Sequence, residues 1–290
     1  MASSIEELFL EQRPYLVSLA YRMVGSMADA EDLVQETYVR WNEAGTGEIR
    51  SPRAFLTTIL TRLAMNHLAS ARVRREQYVG TWLPEPIVTS KTLDPVELSE
   101  SLTMAFLVLL ERLTPVERAV FLLREVFDYS HAEVAEITAR SEEACRQAQR
   151  RAKQALRERQ QRFQPQSEAA ERLMAQFGQT VQQGDLEGLM RLLHDDITAY
   201  SDGGGIERAA LNPIHGSDRV ARFMIGITRK GGAGLEHEIT EINSQPGIIG
   251  FRDGKARTVL VLDLDADRIR AIYIVTNPQK LERLSKEKQR

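Results

Sequence analysis

Between Arg140 and Arg162 the chain carries eight Arg or Lys (positions 140, 146, 150, 151, 153, 157, 159 and 162) against three Glu. Between Arg50 and Glu76 it carries six Arg (50, 53, 62, 72, 74 and 75) against one Glu. Cations at that density hold phosphate oxygens, and Arg and Gln also match the edges of bases. The formal net charge is nevertheless −3, which excludes a uniformly basic coat. Two basic segments in an acidic chain are the pattern of a protein that touches a polyanion at two chosen places.

The first segment reads HAEVAEITARSEEACRQAQRRAKQAL. A short helix over His131 to Thr138 is followed by a brief turn. Ser141 is then placed to cap a second helix, with Glu142 and Glu143 in its first turn. That is helix-turn-helix architecture, whose second helix enters the major groove N-terminus first. Arg146, Gln147, Arg150, Arg151 and Lys153 would form the reading side, and Ala144, Ala148, Ala152, Ala155 and Leu156 the packing side. A plain basic surface helix has the same look, because such patterns are short.

A second constellation is DAEDLVQETYVRWNEA. Asp32, Gln35 and Glu36 stand at i, i+3 and i+4 and share one helix face, while Leu33, Val34, Tyr38 and Trp41 pack the other sides. The polar face suits docking to a basic partner helix, or is simply solvated. A third stretch, YSDGGGI, has three consecutive glycines, Gly203, Gly204 and Gly205, after Asp202. A phosphate loop would need Lys-Ser after them or G-x-G-x-x-G spacing, and neither is present. The run is read as tight backbone at a strand end, open to close approach by another segment. Asp202, His215 and His237 are titratable groups of the same region; a structural role for them is the plainer reading than catalysis. No metal-ligand spacing appears and no cofactor is implied. One cysteine, Cys145, excludes an internal disulfide and fits a reducing compartment. Its oxidation could disturb the helix-turn-helix, although a small packed residue is the simpler role.

The elements that carry these residues are mostly helical up to residue 162. LEQRPYLVSLAYRMV has an apolar stripe at Tyr15, Leu16, Leu19, Ala20 and Met23, and Gly25 ends that helix. A second helix runs from Ala28 to near Gly45. Ser51-Pro52 opens a long helix that is apolar early and basic late. Residues 79–100 form a linker with three prolines. From 168 onward the texture changes. Two helical stretches (Ala169 to Gln183, Asp185 to Leu193) precede segments of strand composition, DITAYSD, HEITEINSQPGIIGFRDG, ARTVLVLDLDAD and RIRAIYIVTNP, with turns placed at Pro-Gly and Asp-Gly. This predicts a separate α+β domain with an antiparallel meander. The N-terminus lacks the order of a signal peptide. No apolar run approaches the roughly 18 residues of a membrane span. A cytoplasmic location is expected.

In this order and spacing, the segments AYRMVGSMADAEDLVQETYVRW and LTPVERAVFLLREVFDYSHAEVAEI resemble regions 2 and 4 of bacterial sigma factors of the extracytoplasmic-function type. Three further marks, WLPEP (Trp82 to Pro86), DGGG (Asp202 to Gly205) and NPQKL (Asn277 to Leu281), resemble signatures of the branch fused to a SnoaL-like domain. The resemblance implies a multidomain chain: region 2 over 1–78, a linker over 79–100, region 4 over 101–163, and a SnoaL-like cone with a curved antiparallel sheet over 168–290. It implies that Asp32, Gln35 and Glu36 grip the β′ clamp helices of core RNA polymerase, with the β flap a further contact. Arg53, Arg62, Asn66, Arg72, Arg74 and Arg75 would serve the −10 element, and Arg146, Gln147, Arg150, Arg151 and Lys153 the −35 element. Trp82, Pro84, Asp202, Gly203, Gly204, Gly205, Asn277 and Pro278 would be interdomain and regulatory. Promoter DNA and core polymerase are the implied partners, with no membrane, and an unknown small ligand in the C-terminal domain stays open. In the family a lysine usually follows the glycine run; here Ile206 stands there. The implied protein is no enzyme in its own right. The rival readings are a SnoaL-type enzyme with a DNA-binding appendage and a ligand-sensing helix-turn-helix regulator acting without polymerase.

Overall fold

The computed structural model describes residues 5–44, 51–76, 78–89, 102–157, 168–232, 234–265 and 268–285. They fall into two compact units. One takes the helices before residue 77 together with those from 106 to 157. The other takes residues 78–89 and 103–105 together with the chain from 168.

The first unit is all helical. Helix α1 (Ile5–Val24) buries Tyr15, Leu16, Leu19, Ala20 and Met23, the stripe its spacing predicts. Helix α2 (Met27–Ala44) buries Leu33, Val34, Thr37 and Trp41. Helix α3 (Pro52–Glu76) starts where Ser51 Oγ accepts from Ala54 N at 3.3 Å, a serine cap with proline at the first helical position. After α4 (Met104–Leu110), helices α5 (Pro115–Glu125) and α6 (His131–Thr138) each open on a capping box, Thr114 with Glu117 and Ser130 with Glu133. Each box satisfies two amides that a helix start leaves without partners. Helix α6 ends on Ala139 in the left-handed conformation, φ 54°, and Ser141 Oγ then accepts from Ala144 N at 3.2 Å to start α7 (Glu142–Arg157).

Within this unit the two helical groups share a polar and aromatic seam. Tyr15, Thr57 and Tyr129 hydroxyls lie 2.9–3.2 Å apart, and Phe127 sits edge-on to Tyr15 at 5.2 Å. Burial, with Tyr129 beside it, pushes the Tyr15 phenol far up, so it stays a neutral hydroxyl. The buried Arg118 guanidinium donates to Met23 O at 2.7 Å and pairs with Glu111 at 2.9 Å.

The second unit starts with α8 (Glu168–Gln183) and α9 (Leu186–Leu192). Its strands are β1 (Leu193–Asp202), β2 (Ile214–His215), β3 (Glu236–Ile242), β4 (Gln245–Arg252), β5 (Lys255–Asp265) and β6 (Arg268–Val275), with α10 (Ser217–Gly231) between β2 and β3. They form one sheet in the order β2-β1-β6-β5-β4-β3. A short helix, α11 (Pro278–Leu281), follows β6. In its hydrophobic core, Phe177 and Met174 of α8, Leu189 of α9 and Met224 of α10 pack with Ile197, Leu262 and Ile272 of the sheet. From β3 to β6 the sheet is the expected antiparallel meander, but β1 pairs with β6 in parallel. Between them runs the whole of β2, α10 and three strands, the kind of long helical connection that parallel pairing requires.

One expected turn moves. Pro246–Gly247 lies inside β4, and the chain reverses at Asn243–Ser244, with Ile242 opposite Gln245. A side chain at Gly247 would run into Ile242, so this glycine serves close packing inside a strand rather than a bend. The expected Asp-Gly turn is present at Asp253–Gly254, both with positive φ. No described helix is long and apolar enough to cross a membrane.

Candidate nucleic-acid interface and linker anchor

On α7, Glu143, Arg146, Gln147 and Arg150 line one open concavity, which brings three of the five candidate groove residues together. The other two point elsewhere. Arg151 Nε lies 2.8 Å from Glu117, and Lys153 Nζ 2.8 Å from Glu125, both acids on α5. These pairs brace α7 against its neighbour. Although partial burial opposes it, hydrogen bonds from Thr114, with Arg151 alongside, hold the Glu117 carboxyl below its usual range. Arg146 pairs with Glu142 one turn back at 2.9 Å, an exposed contact of little energy.

The packing side of α7 differs from the expectation at two places. Cys145, Ala148, Ala152 and Leu156 are buried, Ala155 is exposed, and Ala144 is half-buried. The step from 145 to 148 to 152 to 156 sets the buried stripe, and Ala155 falls outside it. Cys145 seats its sulfur 3.6 Å from Thr138 Oγ1 of α6.

Asp32, Gln35 and Glu36 are all exposed on α2, on the side away from Leu33, Val34 and Trp41. Glu36 pairs with Arg40 at 2.9 Å, with both side chains about half exposed.

On α3, Asn66 is exposed. Arg62 is not simply directed at solvent: Nε donates to Ile137 O and Nη2 to Glu136 O, both at 2.9 Å. It caps the C-terminal carbonyls of α6, where a cation also meets the negative end of the helix dipole. Arg53 lies over the Tyr15 ring, 4.1 Å from its centroid. Sequence patterns show neither partner, because both lie far along the chain. The side chains of Arg72, Arg74 and Arg75 lie outside the described residues.

The glycine run has a clear geometry. Asp202 ends β1 with its carboxylate fully buried. Oδ1 accepts from Tyr78 OH at 2.6 Å and from Gly204 N at 3.0 Å. Oδ2 accepts from Leu83 N at 2.9 Å and pairs with Lys280 Nζ at 2.7 Å. Lys280 also donates to Leu83 O and lies over the Trp82 ring, 4.1 Å from its centroid. Asn277 caps α11 through Gln279 N and donates to Tyr78 OH at 2.9 Å. Gly204 has φ +66°, and a side chain there would collide with the Asn277 amide. A Cβ at Gly203 would meet Glu207 O, and one at Gly205 would press on Val79. Pro84 is buried and Pro278 is the first residue of α11. The three sequence marks thus converge on one buried carboxylate. Tyr78, Leu83 and Lys280 belong to the cluster and were not singled out by sequence; Leu83 lies within WLPEP and Lys280 within NPQKL, whereas Tyr78 lies in none of the three marks.

Asp202, His215 and His237 do not gather in one place. His215 lies on β2 and His237 on β3, at opposite edges of the sheet, and Asp202 is held by its four donors. Among the described residues no group of His, Cys, Asp and Glu could hold a metal ion. Ile206, at the position where the family has lysine, is 58% exposed.

Residues 8–74 match the family Sigma-70 region 2 and residues 103–156 match Sigma-70, region 4. The chain is 38% identical over 292 aligned residues to the ECF RNA polymerase sigma factor SigJ of Mycobacterium tuberculosis, covering 92% of this chain and 90% of that one. It is 31% identical to a probable ECF RNA polymerase sigma factor, SigI, of the same organism, covering 95% and 94%. The crystal structure of M. tuberculosis SigJ superposes with a TM-score of 0.79 at 34% identity, over 96% of this chain and 98% of that one. With both sigma regions in order and a relative matched almost end to end, the chain belongs to the extracytoplasmic-function RNA polymerase sigma factors.

Proposed function

We propose that this sigma factor engages core RNA polymerase through the Asp32, Gln35 and Glu36 face of α2, on the β′ clamp helices, with the β flap as a further contact. Helix α3 serves the −10 element and α7 the −35 element, and the polymerase carries out all the chemistry. The observation that carries this reading is the concavity on α7, which Arg146, Gln147 and Arg150 line together with Glu143. Arg62 and Arg53 must first leave the α6 carbonyls and the Tyr15 ring, so promoter binding is coupled to separation of α3 from α6. The unit from residue 168 sets activity by holding the linker at Asp202 and is not a catalyst; Asp202 is taken up by its four donors, and His215 and His237 lie at opposite edges of the sheet. Run-off transcription with core polymerase over a library of promoter fragments tests the reading. Wild type is expected to give promoter-dependent transcripts. Arg146→Ala and Arg150→Ala are each expected to weaken them by about 1–3 kcal/mol of base discrimination, with core polymerase binding unchanged. Loss of polymerase binding in those variants would contradict the assignment.

A further inference from the structure

The β3–β4 turn carries more polar contacts than a chain reversal needs. Asn243 and Ser244 have φ of 50° and 56°, a geometry that glycine adopts with least strain. Their polar groups are directed at the linker. Asn243 N donates to Ile87 O at 2.9 Å, and Asn243 Oδ1 accepts from Ile87 N at 3.2 Å. Ser244 N donates to Thr89 Oγ1 at 3.1 Å, and that hydroxyl donates to Glu241. Val88 bridges to Ile242 in antiparallel fashion. The linker therefore adds a short stretch of strand pairing at the end of the sheet's edge strand.

Gln245, the next residue, holds the far end of the same segment. It is buried, its Nε2 lies 3.4 Å from Leu262 O, and its Oε1 accepts from Met104 N at 3.0 Å. Met104 opens α4, and its amide is one of those a helix start leaves without an internal partner. A glutamine 141 positions away supplies that partner. The Leu262 carbonyl fixes which way the amide faces, so the oxygen is presented to Met104.

We propose that residues 241–245 form a second linker anchor, separate from Asp202, that pins both Thr89 and Met104 to one hairpin and lets go when the promoter is bound. The regulatory part rests on the reading above, in which helices on either side of this segment serve different promoter elements. Fully extended, a segment of this length could span roughly 50 Å. Pinned, its two ends sit on five consecutive residues. The anchor thus keeps regions 2 and 4 from spreading along DNA until one end of the segment lets go, through the four hydrogen bonds at Ile87 and Thr89 or the one at Met104, each modest in energy.

Hydrogen exchange of the full-length protein, read at the Ile87 and Met104 amides, tests the anchor beside run-off transcription with core polymerase. Gln245→Leu should raise exchange at Met104, and Asn243→Gly at Ile87, each about fivefold, the loss of one net hydrogen bond. Both variants should raise promoter-directed transcript by a similar factor at limiting polymerase. Thr89→Val removes a linker hydroxyl without altering the hairpin, so it gives the same answer if a hairpin variant folds poorly. Ser244→Gly keeps the amide donor and suits the positive φ, and should keep wild-type exchange. Unchanged exchange in Gln245→Leu, Asn243→Gly and Thr89→Val would overturn the anchor. Raised exchange with unchanged transcript would overturn its regulatory role. If wild type itself gives no promoter-dependent transcript, the polymerase reading falls, and exchange alone decides whether the hairpin holds the linker.

Discussion

Replacing Lys280 by methionine removes the cation beside Asp202 while keeping an apolar stem of similar length over Trp82. The carboxylate left behind is fully buried, and breaking a buried pair by removing one partner costs about 3–5 kcal/mol. Three donors remain, from Tyr78, Leu83 and Gly204, which places the expected loss near the low end, about 3 kcal/mol. In a unit of this size that corresponds to a fall of roughly 6–12 °C in Tm. Asp202→Asn should cost about 2 kcal/mol, because its amide must present a donor to donors. In the double variant no charge is stranded, so a double-mutant cycle should show coupling of about 2 kcal/mol. The assay is thermal and urea unfolding of the four proteins, with exchange at the Leu83 amide as a local readout. Additivity within about 0.5 kcal/mol would refute the idea that Lys280 and Asp202 act as one unit.

Gly204→Val forces a branched side chain into a positive-φ position against Asn277, and should release Tyr78 and Leu83 to exchange and alter transcription; unaltered exchange and transcript would dismiss the steric argument. Asp32→Ala with Glu36→Ala should weaken core polymerase capture in a pulldown without moving the Tm by more than a degree or two, since both side chains are exposed. Acid should loosen the helix-turn-helix through its capping boxes. Hydrogen bonds from Ser130 hold the Glu133 carboxyl below its usual range, as those from Thr114 do for Glu117. For groups depressed on folding, the stabilisation is complete above the ordinary value of 4.5 and fades as pH falls through the folded pKa. The urea midpoint should therefore drop as pH falls below about 5, and Glu117→Gln with Glu133→Gln should flatten that slope.

The features legible in the sequence are those written locally. Ser51 and Ser141 announce their helices because a cap acts within three residues. The stripe of α1 and the polar face of α2 follow from helical spacing alone. Contacts between distant segments left no such mark. The parallel seat of β1 beside β6 depends on a long connection. Arg62 at the end of α6 and Lys280 beside Asp202 depend on residues about 75 and 78 positions away. Pro246–Gly247 looked like a turn because both residues favour turns. Asn243–Ser244 took that role since asparagine tolerates positive φ and the glycine was needed against Ile242. Ala155 was misplaced because alanine fits either side of a helix and only the packing of α7 chooses between them.

Cys145 is the sole thiol of the chain and is wholly buried between α7 and α6. A thiol reagent can reach it only when those helices part. Its labelling rate thus counts openings of the DNA-reading motif one by one, in native buffer and without any engineered probe. Free protein, polymerase-bound protein and protein on promoter DNA can be compared on that single clock.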